Sequence, residues 1–391
     1  MLVRRCAVLL IEPREELGLD LQSMFSGGSA LTATMHWVAL APHLDREVTL
    51  AADDVALLGS VGQTVWQQRA ALEQQYGADI VARLLDHGLL VGDARLGAQE
   101  SELSPELAHW RERDDTLRAQ HWRPLSAVAH IYSRWRGMQS ESGMQFPTFD
   151  DLVKEYGQPP SPAVERGGAS DAIALPAPAA DALDDLLLRR YTGRNFDTTA
   201  QVPLALAARL LQRTFGAQDQ RMMAPDAYVL KKTSPSAGGL HPCEAYVLAQ
   251  RIDGVAPGLY HYHAVNHVLE PVQALTVDEA RQLALVAVAD QQWFADAPIM
   301  VIVAARVFRN FWKYRNHAKA HRALLLDAGH LSQTLYLLAT EAGLAGFVTA
   351  AINEVELEQA LGLDPLTDAV IAVCGCGPAG PGDYVELRNA T

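Results

Sequence analysis

Apolar residues recur with two different periods along this chain, and the switches between them mark its elements. Residues 2–11 form a short apolar run of strand character, with a second at 33–40 and a third candidate at 45–50. The spacing then changes to three and four. Residues 52–59 read as a helix, 64–76 as a longer amphipathic helix, and 78–87 as another that Gly88 stops before a short strand at 89–93. Residues 106–118 are helical with mixed charge. An aromatic and histidine-rich stretch follows, His121-Trp-Arg-Pro and His130-Ile-Tyr-Ser-Arg-Trp-Arg. Residues 157–180 are rich in Pro, Gly, Ala and Ser without hydrophobic period, as expected of an extended linker.

From residue 181 helices and strands interleave. Helices are expected at 181–190 and 204–214, and a ragged loop then runs to a small-residue turn at 233–239. A strand at 244–250, a hairpin of 257–263 with 267–272, and a helix at 276–288 follow. Residues 298–305 are a nearly continuous apolar run of strand length, the mark of a strand buried on both faces. The longest helix, 320–343, carries an apolar stripe of Leu324, Leu325, Ala328, Leu331, Leu335 and Leu338. A short helix at 355–362 and a buried strand at 369–374 close the unit. The expected class is α+β, a mixed sheet flanked by helices.

Composition narrows the functional classes. The chain has 391 residues, 49% of them hydrophobic, and a net charge of −14. That length suits two or three domains. The acidic balance argues against general nucleic-acid binding and against an anionic membrane surface, and still allows one local basic pocket. Cys6, Cys243, Cys374 and Cys376 make no paired framework, and Cys374-Gly-Cys376 lacks the spacer of a common zinc half-site. The first apolar run is broken by Glu12-Pro-Arg-Glu-Glu and has no small-residue cleavage site, so it reads as a strand rather than a signal peptide. No run reaches the roughly 18 apolar residues of a membrane span. A soluble, cytoplasmic protein with reduced thiols is expected.

Three stretches carry chemistry. Arg190-Tyr-Thr-Gly-Arg194 sets two guanidiniums and a hydroxyl at a helix end, the donor set a phosphate monoester wants, although a solvated basic turn reads the same. Thr233-Ser-Pro-Ser-Ala-Gly-Gly239 gathers hydroxyls and bare backbone N–H groups, and its glycines allow close approach to a flat ligand. Phe311-Trp-Lys-Tyr-Arg315, followed by Ala320-His-Arg322 and Asp327-Ala-Gly-His-Leu-Ser-Gln333, puts a lysine beside a tyrosine with arginines nearby. His261 and His263 share a strand face. No cysteine or clustered carboxylate joins them, so no metal is expected. His330 is expected to be a hydrogen-bonded core residue.

Taken together, these stretches resemble the nitroreductase superfamily, in the version typical of SagB-type (thiazole/oxazole-forming) dehydrogenases. Arg190, Thr192, Arg194 and Phe196 fill its Arg-x-Ser/Thr-x-Arg/Lys-x-Phe pattern, which implies contact with an FMN phosphate and ribityl chain. Ser236, Ala237, Gly238 and Gly239 match the loop beside the isoalloxazine ring, with Gly239 where the family often has a polar side chain. The match of 343–353 implies that the Ala350 and Ala351 amides lie near flavin N5 and O4. Cys374-Gly-Cys-Gly-Pro-Ala-Gly380 matches the family's return to the phosphate but lacks its basic residue. Lys313 and Tyr314 match the pair that handles the substrate proton. A lysine does this when desolvation or nearby cations favour its neutral amine, and Arg315 and Arg322 are near enough in sequence to act so.

The resemblance implies a homodimeric, FMN-dependent dehydrogenase, residues 181–391, that oxidises azolines to azoles in a ribosomally made peptide. Hydride would leave the substrate Cβ for the flavin, and oxygen would reoxidise it. Residues 1–100 are similar to the winged-helix, PqqD-like element that binds a leader peptide, with 101–156 as a helical connection. A DNA-reading wing would carry several basic residues, and residues 78–87 hold one Arg and two Asp. A purely structural role for 1–100 stays open. So do a general NAD(P)H-dependent nitro- or quinone reductase, a non-catalytic scaffold of a peptide-modifying complex, and association with a cyclodehydratase.

Overall fold

In the computed structural model the described residues are 1–19, 25, 31–93, 105–140, 148–164 and 172–382. The strand Ile299–Arg306 is buried at every position except Arg306. It sits inside a six-stranded sheet and pairs with Cys243–Ala249 on one side and Asp368–Gly377 on the other. Val268–Ala274 and Gly258–His263 extend the sheet one way, and Ala345–Thr349 ends it the other way. All ladders in it are antiparallel, and its parallel contact is a single bridge from Thr192 to Gly346.

Alternation along the central strand feeds two cores. Val301 and Val303 pack with Leu210, Leu211, Leu324, Leu331 and Leu335 from the helices Leu204–Thr214 and Ala320–Glu341. Met300 and Ile302 pack on the opposite face with Ala280, Ala284, Phe294 and Leu357. The class is therefore α+β, with helices on both faces of the sheet.

Several expected elements differ. The run 2–11 is two strands, Leu2–Arg5 and Leu10–Leu19, in different sheets. Between them the Ala7 N–H donates to the buried Asp114 carboxylate at 2.5 Å and the Cys6 N–H to Leu89 O at 3.0 Å, which turns the chain. The helix expected from 64 begins at Arg69, because Gln67–Gln68 pairs with Leu2 and Val3. The ragged loop is a hairpin, Asp219–Ala224 with Ala227–Lys231. Its first strand is exposed throughout, so no apolar alternation announces it. Leu325 and His330, both assigned to the apolar side of the long helix, are exposed.

The aromatic stretch joins the first part of the chain to the sheet. Trp122 is buried, donates Nε1–H to Leu366 O at 2.9 Å, and stacks on His130 at 5.3 Å. Tyr132 bonds Ala41 and Arg46, while the buried Arg134 bridges Asp45 and Glu358. Among the described residues no helix is long and apolar enough to cross a membrane.

His130 faces Pro365 O at 3.0 Å, and burial, then His321 and Arg134, push its pKa down to about 3. Its folded pKa lies below the unfolded value, so the unfolded chain binds more protons between those two values. Stability is then present above pH ~6.5 and lost as the pH falls, by up to about 1.4 kcal/mol per unit from this ring. Urea unfolding of His130→Gln between pH 7.5 and 5 is expected to show a flatter pH dependence than the parent.

Candidate active site

The helix Ala320–Glu341 anchors both the small-residue turn and the basic stretch. Asp327 interrupts its apolar stripe and is buried. Its carboxylate accepts Ser236 O–H at 2.5 Å and Ala237 N–H at 3.1 Å, and Ser236 Oγ in turn accepts the His241 N–H at 2.9 Å. Ser234 meets Thr334 at 2.7 Å. These bonds tie the turn at 234–239 to the helix. Burial, then Asp327, push the neighbouring Cys243 thiol up, so it is not a ready nucleophile. Burial and the cations Lys232 and Arg309 push His241 down to about 4.

About two and a half turns further along, Tyr336 organises the basic stretch. Its hydroxyl accepts the Val348 N–H at 3.1 Å and meets Thr192 Oγ1 at 3.1 Å. The Arg190 guanidinium lies over the Tyr336 ring at 5.3 Å, and that of Arg194 over Phe294 at 5.9 Å. Gly193 N–H donates to Gly346 O at 2.8 Å, and a Cβ at Gly193 would lie 2.5 Å from that of Ala345. Residues 192–194 thus lie along the edge strand Ala345–Thr349, whose far end leads to Ala350 and Ala351. The Ala351 N–H is held by Thr349 Oγ1 at 3.1 Å, and Gln291 donates to Ala351 O at 2.9 Å.

Lys313 and Tyr314 sit on the connection between the helix Val307–Phe311 and the long helix. Both N–H groups donate to Asn310 O at 3.3 and 3.2 Å, and Asn310 Nδ2 donates to Ala320 O at 2.9 Å. Lys313 is exposed and Tyr314 half-buried, with the Lys313 Nζ over the Tyr314 ring at 5.6 Å. The Arg315 Nε–H goes to Trp312 O at 3.2 Å. The pair meets the small-residue turn directly. A Cβ at Gly238 would lie 2.5 Å from Tyr314 Oη and 2.8 Å from Lys313 Nζ.

Sequence reasoning missed Asp327 as the turn's anchor and Tyr336 as the partner of Thr192. A carboxylate three residues after Leu324 and four before Leu331 was the available signal, since a charge on an apolar stripe demands partners. The histidine pair behaves as a structural hairpin would: His261 bonds Glu270 at 2.8 Å, with Glu244 at 3.4 Å. Among the described residues no group of His, Cys, Asp or Glu could hold a metal ion.

Gly238 and Gly239 share a left-handed backbone, φ 62° and 68°, but only Gly238 faces neighbours within 4 Å. Alanine at either costs about 1–2 kcal/mol of backbone strain. Gly238→Ala displaces only the far ends of the Lys313 and Tyr314 side chains, so it is expected to cost the same about 1–2 kcal/mol as Gly239→Ala, read from urea unfolding of the two variants.

Residues 187–377 match the family model described as the nitroreductase family. The protein MJ1384 of Methanocaldococcus jannaschii, named as a nitroreductase, is 30% identical over 194 residues, 50% of this chain and 91% of its own length. The trifolitoxin-processing protein TfxB of Rhizobium leguminosarum bv. trifolii is 27% identical over 144 residues, 37% of this chain and 38% of its own length. A chain in the structure of the E. coli microcin synthetase McbBCD complex with truncated pro-MccB17 bound superposes with a TM-score of 0.52 at 19% identity. That match covers 72% of this chain and 100% of the other, and shows a common fold. With the sheet, the helix and the basic edge in place, and with MJ1384 matched at 30% identity over 91% of its length, the chain belongs to the nitroreductase family, whose members are generally flavin oxidoreductases.

Proposed function

We propose that this protein is an FMN-dependent dehydrogenase that oxidises azoline rings to thiazoles or oxazoles in a ribosomally made peptide. The observation that carries the reading is the contact at Gly238. A potential proton acceptor, the Lys313 amine, lies against the Gly238 side of a turn whose Gly239 side is open for a flat ring to approach. The peptide-processing role named for TfxB supports the substrate class.

The residues present fit a flavin mononucleotide. Arg190, Arg194 and Thr192 form a donor set for a phosphate, two guanidiniums and a hydroxyl. Tyr336 can donate its own proton to Thr192, which leaves the threonine O–H for a ligand. Nothing lies within 4 Å of where a Gly239 Cβ would point, so that side of the turn is open. Of the two amides expected near the ring, the reading keeps Ala350, because the Ala351 N–H is held by Thr349.

Aromatising an azoline removes a proton from Cα and a hydride from Cβ. A bound flavin supplies the hydride acceptor. Lys313 takes the Cα proton at Nζ, and Tyr314 orients the ring or shares that proton. Lys313 is exposed in the single chain, so substrate or a second copy must exclude water around it. A homodimer, leader binding by residues 1–100 and a cyclodehydratase partner belong to the same proposal.

The test is spectral and then chemical. Purified protein should be yellow, release FMN on denaturation, and remove two hydrogens per ring from an azoline peptide by mass spectrometry. Lys313→Gln should stay yellow and lose about 10²–10⁴ in turnover, the range of general acid–base catalysis. A colourless protein that takes up no FMN would overturn the reading. Rapid NADPH-dependent nitroaromatic reduction with an inert azoline peptide would replace it by the general reductase.

A further inference from the structure

A groove beside Lys313 has no part in what is described above. Its volume is about 610 Å³, a size typical of small-ligand sites. The hairpin at 219–231 forms one wall with Met223 and Tyr228, and Phe308 and Trp312 form the other. Tyr228, Phe308 and Trp312 are 45%, 42% and 54% exposed, so their rings are open to a ligand.

Its positive charges are spent on the frame. Arg309 donates to Leu240 O at 2.9 Å and to Tyr228 O at 3.0 Å, which staples both walls together. Arg306 pairs with Glu244 at 3.2 Å. What the groove offers is therefore aromatic surface rather than an anion site. Two of its lining residues adjoin both parts of the candidate site along the chain. Trp312 directly precedes Lys313, and Leu240 directly follows the turn that Lys313 touches.

We propose that this groove holds the substrate peptide next to the reacting ring, and that Tyr228, Phe308 and Trp312 stack on azole rings already formed. The inference rests on the azoline-oxidation reading. An azole is flat, uncharged and has a π face, which suits offset or edge-on contact with aromatic walls. An azoline or an unmodified cysteine lacks that face. The groove thus retains a finished ring while its neighbour occupies the place beside Lys313.

The test measures binding, apart from turnover. A labelled glycine-rich peptide carrying two thiazoles is titrated into the full-length protein, against the same peptide with cysteines in their place. The parent protein is expected to bind the thiazole peptide at least tenfold tighter. Tyr228→Leu with Phe308→Leu keeps apolar volume without two of the three π faces, and should cut that preference at least threefold while leaving the melting temperature and the affinity for the cysteine peptide unchanged. No preference in the parent, or a preference undiminished in the double variant, overturns the groove. A double variant that changes oligomeric mass also overturns it, by marking this face as a contact between copies. A protein that shows the preference but oxidises no azoline sinks the function alone, and one that oxidises azolines without the preference sinks the groove alone.

Discussion

One buried carboxylate fixes the geometry of the candidate site. Asp327 stands in the apolar stripe of the long helix, where an unpartnered charge would be costly. Ser236 O–H and Ala237 N–H meet it, and so the demand for hydrogen bonds becomes a means of placing the small-residue turn. Tyr336 lies nine residues on, about 13 Å along the same helix, and its hydroxyl places Thr192. The turn and the basic stretch are far apart in sequence. They share a register because both are pinned to one rigid element.

The helix can act as that ruler because the sheet beneath it is packed on both faces. Val301 and Val303 meet it from one side, while Met300 and Ile302 are held by the other core. Interiors of this density deform little. Ala345–Thr349, like Val268–Ala274 at the opposite end of the sheet, pairs with a strand on one side alone. Asp368–Gly377 covers one edge, and the Thr192 and Gly193 backbone and the Tyr336 hydroxyl meet this strand besides. Gly193 has no room for a side chain against Ala345. A chain that must lie this close to a strand edge explains why the motif carries glycine between its threonine and its second arginine.

Much of this was legible from the sequence, and the failures have physical causes. The buried strand at 298–305 and the long helix announced themselves because burial on both faces, or a stripe at spacing three and four, leaves a strong pattern. The hairpin at 219–231 left none, since its strands face solvent. No strand was expected at Ala345–Thr349, because five residues after a glycine stop carry too little period to identify. At the site, residue types and order were readable, but partners were not. Nothing local tells that Asp327 waits for a turn some 90 positions earlier, or that Ala351's N–H is turned back to Thr349. His330 misled because a helical position beside the stripe was taken for one within it.

The remaining constraint reaches the site from outside the family-matched residues. Lys313 and Tyr314 lie on a connection, and connections move more easily than the elements they join. Here the connection is gripped from residues 121–122. The Asn316 N–H donates to His121 O at 3.1 Å, and its side-chain amide faces the His121 and Trp122 carbonyls at 3.2 and 3.0 Å. Trp122 meets Phe311 edge-on at 4.9 Å, just before the pair. The same segment continues through His130 and Tyr132 to Arg134, which bridges Asp45 to Glu358. An unbroken set of contacts therefore runs from the first fifty residues to the lysine. The N-terminal part is thus joined by packing and hydrogen bonds to the connection that carries Lys313 and Tyr314.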